Sequence, residues 1–217
     1  MAIVLDGLFF AAALFLPAGT LHWPRAWIFI ILVVAAAALT IYRLPEDLLN
    51  ERLKGPIQKK QPVVDKIILI FFLTSYTGTI VFSGLDVFHY HLLAPPPMAA
   101  AVLGLVLYLL GWWLAAAAIL ENSFATAVVR LQEERGHRLV DTGPYRCVRH
   151  PMYSGLIPMA IGAPLWLGSY AAALAGLIPI LLIAVRILFE ERFLRRELPG
   201  YPEYTQRTRY RLIPFLW

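Results

Sequence analysis

Cysteine is all but missing: the 217 residues hold one, Cys147, so no internal disulfide can form and no Cys-based zinc spacing exists. Charge is scarce as well. Asp, Glu, Lys and Arg make up 15% of the chain against 59% hydrophobic residues, and mean hydropathy is +0.66. Those proportions exclude an ordinary soluble domain. Ser-His-Asp and Cys-His arrangements are lacking too, which removes the common routes to covalent catalysis. No internal repeat, low-complexity linker or composition break divides the chain, so 1–217 reads as a single membrane domain. The first apolar run, 2–16, has no basic flank before it and no Ala-x-Ala site after it, so it is expected to stay as a membrane helix.

What is present is a series of apolar segments separated by basic loops. Helices are expected over 2–17, 26–42, 67–88 and 98–120. The apolar stretch 153–189 is too long for one span, which needs about 20 residues. Broken by Pro158, Pro164, Gly168 and Pro179, it reads as a hairpin of two short or kinked helices turning near Gly168. The expected fold class is therefore all-α: an integral membrane helical bundle of five to six transmembrane helices, with the last two forming a hairpin, plus short cytoplasmic helices. In the polar stretch 43–66, Leu44, Leu48, Leu49 and Leu53 suit one face of a short surface helix touching the membrane, stopped by Gly55-Pro56. All 19 Lys and Arg except Arg25 fall in 43–66, in 130–149 or after Val185. The positive-inside rule makes those three regions cytoplasmic, and with six crossings both termini join them. The +5 net charge then reflects loops facing anionic lipid, not nucleic acid.

The polar island that organises the chain is Gly143-Pro144-Tyr145-Arg146-Cys147-Val148-Arg149-His150-Pro151-Met152-Tyr153. Arg149 sets a fixed charge beside a titratable imidazole where the chain leaves water for a hydrocarbon-length helix, and ionisable groups there are functional candidates. Interfacial anchoring is the competing reading. Cys147 lies inside the island without a second thiol or zinc spacing, so it reads as an ordinary residue. His89 and His91 have no nearby carboxylate or third His and read as boundary residues rather than metal ligands. Two passes after His150 return the chain to the same face at Glu190-Glu191, so Arg149, His150, Glu190 and Glu191 can converge. Equally, Arg186–Glu190 and Glu191–Arg195 are spaced i,i+4 and suit plain helix pairs.

Gly-Pro-Tyr-Arg-x-x-Arg-His-Pro-Met-Tyr, followed by Glu190-Glu191, Leu194, Gly200, Tyr201-x-x-Tyr204-x-x-Arg207 and Ile213-Pro214, resembles the signature of the isoprenylcysteine carboxyl methyltransferase family of integral membrane enzymes. The likeness runs from about Leu139 to Trp217. Pro199 departs from it by lengthening the step from Leu194 to Gly200. The resemblance implies S-adenosylmethionine as methyl donor, with S-adenosylhomocysteine as product. It implies a lipophilic or prenylated acceptor, entering from the bilayer and carrying a carboxylate. The soluble methyltransferase Gly-rich fingerprint is absent, as a helical membrane fold would have it. On this reading 139–217 is the cofactor-binding catalytic core, and 1–120 is the transmembrane scaffold with lipid-side access. Tyr145, Arg149, His150, Tyr153, Glu190 and Glu191 are candidate cofactor contacts. Arg207, Glu191 and Arg149 are candidate catalytic residues, with Arg207 as a bidentate clamp on the acceptor carboxylate. No metal is called for. A phospholipid or other lipid amine methyltransferase shares the Arg-His-Pro theme and remains open. So do an NADPH-dependent sterol-type reductase, which typically has Asn where Met152 stands, and a non-enzymatic membrane protein.

Overall fold

The structure, a computed structural model, describes residues 2–55, 57–58 and 61–217; the expected stop at Pro56 and the loop cations Lys59 and Lys60 lie outside the described residues. The helices are α1 (Ala2–Ala18), α2 (Pro24–Arg43), α3 (Glu46–Leu53), α4 (Val63–Leu85), α5 (Met98–Glu121), α6 (Pro151–Leu167), α7 (Tyr170–Ala175), α8 (Leu177–Glu197) and α9 (Tyr201–Arg207). No strand occurs among the described residues. Four helical stretches are long and apolar enough to cross a membrane: Pro24–Arg43, Val63–Tyr90, Met98–Glu121 and Tyr170–Glu197. At 17 residues each, α1 and α6 would reach about 26 Å, just short of a hydrocarbon core of about 30 Å. The all-helical membrane bundle expected from the sequence is the fold observed.

The tightest packing joins α5 to α6. The buried positions of α5 include Ala101, Gly104, Tyr108, Gly111, Ala115 and Ala118, alternating in steps of three and four like a coiled-coil seam. Small residues there let the backbones touch, which is how helices associate where lipid is as apolar as leucine. Gly111 faces Gly155 and Gly104 faces Gly162 with backbone against backbone. A Cβ on Gly104 would lie 2.6 Å from Leu165 Cβ and 2.8 Å from the Gly162 carbonyl oxygen. The wider core adds Phe29, Leu14, Trp166 and Met159 between α1, α2 and α6.

Two ends of the bundle take different chemistry. At one, Arg25, Met98 and Gly168 gather, and Trp166 Nε1 donates to the Arg25 carbonyl at 2.8 Å. There α4 runs on into a π-helical turn, Asp86–Tyr90, and buried Asp86 accepts from Ser169 Oγ at 2.6 Å. His89 contacts the Pro17 carbonyl at 2.8 Å, so it serves the junction of α1 and α4. The opposite end holds α3, the α5–α6 connection, the polar island and the C-terminal tail.

One expectation needs correction. The 153–189 stretch turns at Gly168 (φ 107°) as expected, with α7 and α8 forming one stretch interrupted at Gly176, but α8 continues beyond 189 to Glu197. Glu190 and Glu191 therefore stand inside a helix rather than after it. The leucine face of α3 is split between protein and surface. Leu48 and Glu51 are buried against protein while Leu53 is 60% exposed, because Glu51 is drawn to Arg130 Nη2 at 2.9 Å. Pro199 lies with Gly200 (φ 81°) in the tight turn from α8 into α9.

The α5–α6 seam makes a direct test. Gly111→Ala and Gly162→Ala are expected to lower stability in detergent by roughly 1–3 kcal/mol through overpacking. Gly78→Ala on α4 meets nothing within 4 Å and is expected to be neutral or to stabilise by up to about 1 kcal/mol. Thermal unfolding followed by tryptophan fluorescence checks all three.

Candidate active site

The polar island enters α6 through a 3-10 turn, Gly143–Arg146, and places His150 at the helix N-cap with Pro151 at the first helical position, where its missing N–H costs nothing. The C-terminal tail is stitched across this entry. Arg149 N and His150 N donate to the carbonyls of Tyr210 and Arg211, each at 2.9 Å. Arg149 Nη1 donates to the Thr208 and Arg209 carbonyls at 2.8 and 2.6 Å, and Ser154 Oγ to the Leu212 carbonyl at 2.6 Å. Glu191, from α8, clamps the stitch: its Oε1 accepts from Arg149 Nε at 2.6 Å and its Oε2 from Arg211 Nε at 3.1 Å. Arg149 and Glu191 are both buried, so each depends on the other for its charge to be tolerable.

Beside this knot lies a polar cavity of about 110 Å³, lined by Tyr145, Arg149, His150, Tyr153 and Glu190, and walled on one side by the segment 122–140. Tyr153 Oη donates to Glu190 Oε2 at 2.7 Å, and the His150 ring stacks on Tyr153 at 5.6 Å and 16°. His150 Nε2 is enclosed without a hydrogen bond; Glu191 Oε1, 3.4 Å away, is close enough for charge attraction but not aligned as an acceptor. An unpartnered buried nitrogen is rare in a folded protein and points to a ligand group or a water. Burial pushes the Tyr145 hydroxyl up to about 12, and pushes Tyr201 and Tyr204 up as well, so all three stay neutral donors. Tyr204 Oη donates to the Tyr145 carbonyl at 2.7 Å and fixes α9 under the island. His137 stacks on Phe124 at 4.5 Å, and burial, then Arg135 and Arg130, lower its basicity.

A second, larger cavity of about 380 Å³ adjoins the first. It is mostly apolar, bounded by α2, α4, α5, α6 and α8, and it shares Met152 and Tyr153 with the polar cavity. Arg186 lines it, fully engaged: Nε donates to Asp65 Oδ1 at 2.9 Å, Nη1 to Tyr153 Oη at 2.9 Å and Nη2 to the Ala127 carbonyl at 2.6 Å. Asp65 Oδ2 in turn accepts from Gln61 Nε2 at 2.6 Å and Val129 N at 3.1 Å. One carboxylate on α4 thus ties α8 to the segment that walls the polar cavity.

Of the residues singled out in the sequence, Tyr145, Arg149, His150, Tyr153 and Glu190 come together around one cavity. Glu191 stands behind it, spent on Arg149 and Arg211. Neither i,i+4 pair, Arg186–Glu190 or Glu191–Arg195, is an ion pair among the described residues, because Arg186 and Glu191 turn inward to Asp65 and Arg149. Arg207 is placed elsewhere: its side chain is 66% exposed and paired with Asp141 at 3.0 Å, outside both cavities. Tyr201 and Tyr204 are buried, and each helical step of three residues turns about 300°, so Arg207 sits about 120° around α9 from Tyr201. Asp65 and Gln61 both lie within 43–66, the stretch that reads as a polar loop, and so carry no sequence signal of a site beyond a lone Asp at the start of an apolar helix. Removing the knot's carboxylate with Glu191→Ala leaves Arg149 buried and uncompensated, and should cost about 3–5 kcal/mol. Limited carboxypeptidase digestion should then shorten the tail far faster than in Glu190→Gln, whose side chain holds no tail residue.

The family model described as phospholipid methyltransferase matches residues 99–199. Protein-S-isoprenylcysteine O-methyltransferase B of Arabidopsis thaliana is 34% identical over 108 residues, covering 48% of this chain and 54% of that protein. A probable protein-S-isoprenylcysteine O-methyltransferase of Oryza sativa subsp. indica is 34% identical over 117 residues, 52% and 60%. Protein-S-isoprenylcysteine O-methyltransferase A of Arabidopsis thaliana is 33% identical over 96 residues, 43% and 48%. The chain spans about half to three-fifths of the length of these curated relatives. The half of the chain that carries the site is therefore similar both to the phospholipid methyltransferase family model and to these isoprenylcysteine O-methyltransferases.

Proposed function

We propose that the protein is an S-adenosylmethionine-dependent methyltransferase of the membrane that esterifies the carboxylate of an isoprenylated cysteine. The observation that carries this reading is the junction: a polar cavity and an apolar cavity meet at Met152 and Tyr153. The apolar one, at about 380 Å³, falls within the roughly 300–1,000 Å³ of ligand sites. It lies among helices long and apolar enough to cross a membrane, where a prenyl chain would arrive. The polar one carries groups that fit the methyl donor: the unpartnered His150 Nε2 for an anionic or polar acceptor atom, the Glu190 carboxylate for an ammonium or ribose hydroxyl, and neutral tyrosine hydroxyls beside them. At about 110 Å³ it is below the size of a whole nucleoside site, so on this reading the wall formed by 122–140 moves outward on binding.

When bound, the donor supplies an electrophilic methyl on a sulfonium. The acceptor carboxylate is already a competent nucleophile, so no general base is required; alignment and exclusion of water are what the protein provides. Tyr153, held from both sides by Glu190 and Arg186, is the rigid element between the two cavities. Met152 closes the same boundary with an apolar surface. Arg149 and Glu191 hold the tail over the island and so set the shape of the polar side. The site end of the bundle carries the basic loops, which supports a cytoplasmic active site with both termini on that side.

Incubation with methyl-labelled S-adenosylmethionine and an S-farnesyl cysteine carrying a free carboxylate is expected to give a base-labile methyl ester. His150→Ala and Glu190→Gln are each expected to weaken S-adenosylhomocysteine binding by at least about 1 kcal/mol. Label in a base-stable product on a lipid amine would overturn the carboxylate reading, and tight NADPH binding without any methyl transfer would overturn both.

A further inference from the structure

Two arginines, Arg52 and Arg186, line the apolar cavity, and among the described residues only Arg186 has a carboxylate partner. Arg149 is answered by Glu191, and Arg186 by Asp65. Arg52, at the end of α3, also lines the apolar cavity, yet among the described residues it has no carboxylate within ion-pairing distance. Its one hydrogen bond runs from Nη1 to the Ala125 carbonyl at 2.9 Å. Asp6, the one carboxylate lining that cavity, is exposed and forms no pair with it. Burial lowers the basicity of the Arg52 guanidinium, as expected for a cation drawn out of water without a counter-ion.

The place of Arg52 is as telling as its charge. It reaches from the apolar cavity to Ala125, which lines the polar one. Arg52 therefore stands at the boundary where the head of an amphiphile would rest with its tail in the apolar cavity. None of its nitrogens is both enclosed and unpartnered, so those beyond Nη1 keep accessible surface for a ligand's acceptors. A planar guanidinium with free donors matches a carboxylate bidentately, and the desolvation already suffered by Arg52 makes an incoming anion more favourable there than in water.

We propose that Arg52 is the residue that recognises the acceptor's carboxylate, the role that the sequence pattern assigned to Arg207. This rests on the reading of the protein as a carboxyl methyltransferase and goes beyond it by naming the specificity-determining side chain. It also places that side chain in the short helix between α2 and α4, outside the motif-bearing half. The acceptor's carboxylate meets Arg52, its prenyl chain fills the space between Leu69, Trp112 and Met159, and one carboxylate oxygen is left facing the Met152–Tyr153 boundary.

The test compares a prenylated cysteine carboxylate with its neutral carboxamide as ligands for the purified protein in detergent, in the parent, Arg52→Gln and Arg52→Lys. The parent should bind the carboxylate at least tenfold more tightly than the carboxamide. Arg52→Gln, which keeps a donor for the Ala125 carbonyl, should reduce that preference to about twofold or less with carboxamide affinity unchanged, and Arg52→Lys should recover part of it. S-adenosylhomocysteine affinity should stay at the parental level in both variants, which reports an intact fold. A preference that survives in Arg52→Gln overturns the assignment while leaving the carboxyl methyltransferase reading standing. A parent that does not distinguish carboxylate from carboxamide overturns both. Loss of the parental preference on adding phosphatidylglycerol, with no loss on adding phosphatidylcholine, would assign Arg52 to a lipid phosphate and also overturn the proposal.

Discussion

The buried pair Arg149–Glu191 is the constraint on which the site depends. Two opposite charges removed from water are tolerable only while both remain in place, and here each has further bonds that fix its partner's orientation. Glu191 is anchored in α8, Arg149 in the entry to α6, and the tail residues 208–212 hang on both. Three parts of the chain far apart in sequence are thereby closed into one wall. With Glu191 held by this closure, Glu190, about 100° around α8 from it, lines the polar cavity.

A second pair repeats the principle one layer deeper. Asp65–Arg186 ties α4 to α8 and, through Ala127 and Val129, to the segment over the polar cavity. Tyr153 is bonded into the same network through Arg186 and Glu190, so its ring is held where the two cavities meet. Of the two arginines that line the apolar cavity, Arg186 is neutralised by Asp65, and on the proposed reading selection of the acceptor's charge falls to Arg52. The lipid-facing half of the chain contributes the apolar space, and the backbone-to-backbone contact of α5 with α6 keeps that space a fixed size.

The sequence showed the residues of the polar cavity well because the chemistry is local there. Tyr145, Arg149, His150 and Tyr153 lie within nine consecutive residues, and helical return brings Glu190 to the same face. It showed the charged partners poorly. Asp65 meets Arg186 across 121 residues and Arg130 meets Glu51 across 79, distances over which periodicity carries no information. Spacing alone favoured i,i+4 pairs for Arg186 and Glu191, but burial rewards a partner that is also desolvated, and both turned inward. Arg207 misled for a geometric reason, since three-residue steps drift around a helix. The glycine seam was visible in principle, Gly104 and Gly111, then Gly155 and Gly162, each seven apart. Its meaning needed the pairing of α5 with α6.

The central claim is that donor and acceptor occupy two adjoining cavities at once and meet at Tyr153. Titrating a prenylated cysteine carboxylate into protein already saturated with S-adenosylhomocysteine tests it most directly. The account predicts one acceptor bound per protein with affinity undiminished by the saturating nucleoside, giving a ternary complex. Mutual exclusion, with acceptor binding abolished by S-adenosylhomocysteine and restored as it is diluted, would contradict it.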